Sequence, residues 1–281
     1  MIALDNQKLS SLVSGFHIPP KPAILTEFSD EIESAEPSLE NIARIISKDI
    51  SLSALLLKTI NSPLFGLNRT IADIKQAAMF LGLDKLRFLV TATLLKRSFS
   101  GKACISLERF WDESLEVANT CMCLGVKYKS QLSVDELYSV GLFHNVGIAA
   151  MALRYPDYVD TLAFANKHPD ANITQLEQSK YHCDHATIGY YLAVSWHLPQ
   201  SICNVILHHH EQLFLENCSN SRDRLTYAIL KCAENAVTYS RSLSHSSEWM
   251  RIKQQIFSEL GIVDEDYEDL VEDFIENIQG R

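Results

Sequence analysis

Ten histidines stand among the 281 residues, and those that share a neighbourhood with other polar side chains fall in the second half. His144 lies in the apolar run "GLFHNVGIAAM", followed at once by Asn145 and then by Gly147. The stretch "YHCDHATIGYYLAVSWHLP" carries His182, Asp184, His185 and His197, and "ILHHHE" carries His208, His209 and His210. Imidazole is the commonest nitrogen ligand for transition metals and titrates near neutrality, so the chemistry open to these residues is metal binding or proton handling. A single histidine on an apolar helix is ordinarily a hydrogen-bonded core residue, and His182 and His197 are read that way. Several on different segments of one chain are harder to explain as unrelated core residues. On a helix His182 and His185 share a face, and Gly189 one turn on admits a close neighbour. Three histidines in a row turn about 100° at each step, so one or two of His208, His209 and His210 face a pocket.

The elements that must position these rings read as helices throughout. Glycine and proline are scarce, apolar residues recur at three- and four-residue steps, and strand-like alternation is hard to find. "SLENIARIISKD" opens with Ser38 as a cap and sets Ile42, Ile45 and Ile46 on one face. "SLSALLLKTINS" follows, capped by Ser51 or Ser53 and stopped by Pro63. "TIADIKQAAMFLG" is a third helix, with Thr70 near its start and Gly82 past its end. The polar, glycine-bearing stretch "LKRSFSGKACIS" (95–106) marks the best internal boundary. Helices are then expected over 108–128, 134–151, 155–167, 173–195 and 199–212. The tail "VDEDYEDLVEDFIENI" aligns Val263, Tyr267, Leu270, Val271, Phe274, Ile275 and Ile278 along one stripe, which reads as a terminal helix docked on the body with a solvated acidic face.

Composition narrows the function classes. A chain that is 47% hydrophobic and of this length buries a sizeable core. Its formal charge of −10, with no concentrated block of lysine or arginine, argues against nucleic acid as a ligand. The seven cysteines include only one close pair, Cys121 and Cys123, which lacks zinc-ribbon or thioredoxin spacing, so they are expected to be reduced thiols. No secretory leader and no run of eighteen apolar residues stands out, so the expectation is a cytoplasmic protein that does not enter a membrane. Neither a phosphate-cradling glycine loop nor a marked nucleophile motif is present.

Over roughly residues 12–212 the chain resembles the HDOD domain, a helical output module related to the HD-domain metal-dependent phosphohydrolases. The first half of the resemblance rests on "IPPKPAI", on "IARIISKDISLSALLLKTINSPLFG" with its Asp49, Leu52, Leu55 and Leu56 pattern, and on "TIADIKQAAMFLGLDKLRFLV". The second half rests on "FWDESLEVA", "GLFHNVG", "HATIGYYLAVSWHLP" and "ILHHHE". The resemblance implies an all-α, multi-helical bundle. An N-terminal helical lobe (10–100) would pack on an HD-like lobe (101–215), followed by a C-terminal helical extension (216–281). Against the pattern of enzymatic HD relatives, the positions that match metal ligands here are Glu113, His144, Asn145, His185, His209 and His210, with Glu234 in "KCAENAV" as counterpart of the late aspartate.

Two of those positions depart from the enzymatic pattern. Glu113 stands where a histidine is usual, and Asn145 where the His-Asp doublet has its carboxylate. Divalent ions that activate water for phosphate-ester hydrolysis need anionic carboxylates to neutralise and bridge them, and an amide offers neither charge nor bridge. The resemblance therefore implies a bacterial signal-transduction module, non-catalytic, with a degenerate metal site and a separate signalling protein as partner. The competing expectation is a phosphohydrolase or phosphodiesterase acting on a nucleotide or cyclic dinucleotide. A third is a structural Fe, Mn, Zn or Mg ion in a regulatory protein.

Overall fold

The computed structural model describes residues 15–16, 18–62, 70–128, 130–168 and 171–279, with side chains described as far as 272. Every regular element among them is a helix. The chain divides into two compact units, one over Pro20–Ser100 and one over Gly101 onward that includes the segment ending at Pro19.

The first unit is built from α1 (Ala23–Ile32), α2 (Leu39–Ser47), α3 (Ile50–Ile60), α4 (Ile74–Leu81) and α5 (Leu83–Ser98). Ser38 caps α2 as expected, its hydroxyl accepting from the Asn41 N–H. The next cap is Asp49 rather than Ser51 or Ser53, because its carboxylate accepts from the Leu52 N–H at 2.9 Å and carries a charge that suits the helix N-terminus. Asp73, not Thr70, starts α4 in the same way. Pro63 and most of the "NSPLFG" turn lie outside the described residues. Gly82 adopts φ +77°, which permits the turn that separates α4 from α5. Phe28, Ile42, Ile46, Leu52, Leu56, Ile60 and Leu86 are fully buried and make the core of this unit.

The second unit holds α6 (Leu107–Gly125), α7 (Val134–Phe143), α8 (Val146–Arg154), α9 (Tyr158–Lys167), α10 (Ile173–Tyr181), α11 (His185–Ser195) and α12 (Gln200–His208). It continues with the short α13 (Phe214–Asn217), then α14 (Ser221–Ser242), α15 (Ser247–Leu260) and α16 (Asp264–Gln279). The buried 22-residue α14 packs on α6, α7, α12, α15 and α16. Tyr267 and Val271 of α16 are buried against the body, as the stripe implies, whereas Val263 is exposed ahead of the helix. Phe274, Ile275 and Ile278 have no described side chains.

Two of the expected helices are each broken in two, one at the candidate residues His144 and Asn145 and the other immediately before His185. The helix expected over 134–151 stops at Phe143 and restarts at Val146, with Asn145 at φ −102°, ψ 9°. The one expected over 173–195 stops at Tyr181. His182 takes a left-handed conformation, and Asp184 caps a new helix by accepting from the Thr187 N–H. His182 and His185 therefore do not share a helix face. Periodicity cannot register a turn of two or three residues between two apolar helices, since the apolar pattern on either side is unchanged.

Candidate functional site

Two glycines set the spacing of the site helices. A Cβ on Gly147 would lie 2.0 Å from the His185 carbonyl oxygen, so α8 rests directly on the first turn of α11. A Cβ on Gly141 would lie 2.6 Å from Ala118 Cα, which brings α7 equally close to α6. The His144–Asn145 break sits between these two contacts, and that is how it meets the start of α11 and the end of α12.

Four imidazoles meet there, each with its Nδ1 edge held by an acceptor. His144 Nδ1 donates to the Gly141 carbonyl and His209 Nδ1 to the Ile206 carbonyl, both at 2.7 Å. His185 Nδ1 donates to Glu177 at 2.7 Å, and His210 Nδ1 lies 3.4 Å from Glu248 Oε2. Fixing Nδ1 in this way turns every Nε2 toward a neighbour. His144 Nε2 lies 3.3 Å from Glu234 Oε1, His209 Nε2 lies 3.2 Å from the Asn145 side-chain amide, and the Nε2 atoms of His185 and His210 lie 3.1 Å apart. His208, the first of the three consecutive histidines, turns outward and pairs with Glu211.

Three charged residues that sequence reasoning missed complete the arrangement. Glu177 of α10 is fully buried. It accepts from His185 Nδ1, from the His185 N–H at 2.9 Å and from the Tyr158 hydroxyl. Lys231 of α14 is 4% exposed, and its ammonium lies 2.9 Å from both Glu234 Oε2 and Glu248 Oε1. Glu248, at the start of α15, joins Lys231 to His210. The result is one continuous chain of contacts, Glu177–His185–His210–Glu248–Lys231–Glu234–His144.

Its electrostatics are consistent from end to end. Burial would raise the Glu177 carboxyl, but the His185 charge and hydrogen bonds from His185 and Tyr158 hold it below the usual range. Burial would lower His185, and the Glu177 carboxylate overrides that and raises it. His210 is lowered by burial above all, despite Glu248. The two shifts run in opposite directions across the 3.1 Å contact between the Nε2 atoms, so the proton shared there is favoured on His185. His209 is pushed well down by burial and then by the cationic and imidazole neighbours His210 and Lys231. Its Nδ1 donates to the Ile206 carbonyl, and its Nε2 faces the Asn145 side-chain oxygen Oδ1 at 3.2 Å. Burial would discharge Lys231, but Glu234 and Glu248 outweigh it and keep the ammonium.

A cavity of about 310 Å³ opens beside the chain, lined among others by Phe110, Asn145, His210, Lys231, Glu248 and Trp249. Glu113 lines the same cavity as His144, Asn145, His210 and Glu234, with its side chain 55% exposed and paired with Arg241 at 3.1 Å. The structure brings His144, Asn145, His185, His209, His210 and Glu234 into one contact network, whereas Glu113 pairs with Arg241.

The donor set decides how far a metal fits. Ligand nitrogens of His185, His209 and His210 lie within 4.8 Å of one another, with their far edges held by acceptors, and such an all-imidazole set suits one transition-metal ion better than magnesium. The carboxylate side does not fit a second ion, because Glu234 and Glu248 already hold the Lys231 ammonium between them. Of the missed residues, Lys231 alone leaves a sequence signal: "AILKCAENA" places a lysine inside an apolar helical run with a glutamate three residues on. Glu177 looks like any polar residue of a half-exposed helix, and Glu248 like an acidic first-turn residue.

The described residues form helices alone, in two compact units, with a buried histidine cluster held by backbone carbonyls and carboxylates in the second. The model of the HDOD domain matches residues 18–212, and the chain belongs to that family. An uncharacterised protein of Treponema pallidum is 29% identical over 197 residues, which cover 69% of this chain and 37% of that protein. The cyclic di-GMP phosphodiesterase CdgJ of Vibrio cholerae is 24% identical over 127 residues, covering 45% of this chain and 28% of that protein. The chain thus spans about a third of the length of these relatives. A solved HDOD domain protein of unknown function from Geobacter sulfurreducens superposes with a TM-score of 0.69 at 22% identity, covering 96% of this chain and 97% of that one, a likeness of fold. No described helix is long and apolar enough to cross a membrane.

Proposed function

We propose that this chain is a bacterial regulatory HDOD module that works by binding a signalling protein in the cytoplasm and does not hydrolyse phosphate esters. One observation carries the reading: at the position where a hydrolytic His-Asp doublet offers its bridging carboxylate, Asn145 presents a neutral amide that is spent on His209 Nε2. The second departure supports it, since the Glu113 carboxylate is already paired with Arg241 at 3.1 Å. A paired-metal mechanism needs bridging negative charge at the place where this site has none to give.

A second reading, a mononuclear metal-dependent phosphodiesterase, draws support from the clustered nitrogens of His185, His209 and His210 and from the likeness to CdgJ. A bound ion there would polarise a phosphate and lower the pKa of a coordinated water. The residues of this chain would hold the ion through imidazole alone, and Glu177 and Glu248 would fix two of the rings. The two readings part in one assay. Protein loaded with Mn2+, Fe2+ or Zn2+ is offered bis(p-nitrophenyl) phosphate and a cyclic dinucleotide, alongside the His144→Ala/His185→Ala variant. Equal, background-level product from both proteins is expected. Turnover that disappears with the two histidines would overturn the non-catalytic reading.

A further inference from the structure

Lys231 is an unusual residue to find where it is. A lysine that is 4% exposed has left water almost entirely, and desolvating an ammonium costs several kcal/mol unless opposite charge surrounds it. Here two carboxylates from different helices close on it at 2.9 Å each, Glu234 from its own helix α14 and Glu248 from α15. Each carboxylate turns its other oxygen to an imidazole, Glu234 Oε1 to His144 Nε2 at 3.3 Å and Glu248 Oε2 to His210 Nδ1 at 3.4 Å. Two carboxylates closing on one positive centre, each backed by an imidazole on its other oxygen, is the arrangement of charge that a hard divalent cation takes in other proteins. Three of the residues, Lys231, Glu234 and Glu248, lie beyond residue 212, outside the stretch that matches the HDOD model.

We propose that the Lys231 ammonium is this domain's built-in cation, occupying the carboxylate side of the site in place of a second metal ion. The ammonium neutralises one of the two glutamates and bridges both, so α14 and α15 are joined without any exchangeable ion. An intrinsic cation cannot be lost to a chelator or depleted by metal starvation, and it cannot activate a water as a divalent ion does. The proposal deepens the non-catalytic reading and rests on it, but their tests are separate: the hydrolysis assay reads turnover, whereas this one counts ions.

The experiment is equilibrium dialysis of the full chain against Mn2+, with bound ion read by elemental analysis and by electron paramagnetic resonance. The proteins compared are wild type, Lys231→Met, and Lys231→Met/Glu234→Gln. Wild type is expected to bind at most one Mn2+ per chain, Lys231→Met to bind one more than wild type, and the double variant to lose that gain. Two ions on wild type, or no additional ion on folded Lys231→Met, overturns the proposal. If Lys231→Met folds poorly, its melting temperature is measured with and without Mn2+. A rise larger than that of wild type supports a vacated cation site, and an equal response overturns it.

Discussion

Removing Glu177 tests the physical basis of the site at its most buried point. Glu177→Ala leaves the His185 ring and its backbone N–H without their acceptor in a place where both are fully buried, and it frees the Tyr158 hydroxyl as well. Taking one partner from a buried ion pair costs about 3–5 kcal/mol, because the remaining group stays desolvated and uncompensated. At about 2–4 °C per kcal/mol for a domain of this size, the melting temperature falls by roughly 6–20 °C. Glu177→Gln keeps the shape and one acceptor oxygen but not the charge, and should cost about 1.5–3 kcal/mol. Calorimetry or a circular-dichroism melt reads both, with Glu268→Ala on an exposed helix face as control. An NMR titration of His185 adds a readout that bulk destabilisation does not move, since the ring's pKa should drop once the carboxylate is gone. If Glu177→Ala melts within a degree or two of the Glu268 control, the claim that this carboxylate anchors the histidine chain is refuted.

Further outcomes follow from the same contacts. Gly147→Ala should destabilise by at least about 2 kcal/mol in urea unfolding, because the new methyl meets His185 backbone at 2.0 Å and a gain in helix propensity of about 1 kcal/mol cannot offset the separation of α8 from α11. Asn145→Asp should tighten Mn2+ or Zn2+ binding more than about tenfold in a competition titration, by returning a carboxylate beside His209, and unchanged affinity would show that the cleft has lost more than charge. His209 is depressed when folded, so below its ordinary value near 6.5 the unfolded chain binds more protons and stability falls as pH drops toward the folded value. His209→Gln should flatten that acid limb of the stability profile. His185, raised by Glu177, acts in the opposite sense, and its stabilisation fades as pH rises through its folded value.

The helical class and the meeting of His144, Asn145, His185, His209 and His210 were legible in the sequence because each lies in an apolar run whose partner segments resemble a known family. The breaks at His144–Asn145 and at His182–Asp184 were not, since backbone turns of two or three residues leave the apolar period intact on either side. α5 was passed over for a different reason: it alternates burial so evenly around its circumference that no single face stands out. Glu113 was read as a candidate ligand from its matching position, but its pairing with Arg241, 128 residues further on, was not legible. Such long-range pairings are fixed by tertiary packing and leave no local trace. The same holds for Glu177 and Glu248, whose partners come from other helices, whereas the buried Lys231–Glu234 pair is written in a single helix turn.

The histidines of this site suit at most one ion, and its carboxylates Glu234 and Glu248 are already committed to Lys231. A crystal structure of wild-type protein grown in excess Mn2+, with anomalous scattering to locate the ions, tests this most directly. The account predicts no more than one anomalous peak, among His185, His209 and His210, with the Lys231 ammonium still seated between Glu234 and Glu248. Two peaks bridged by Glu234, with Lys231 displaced, would contradict it.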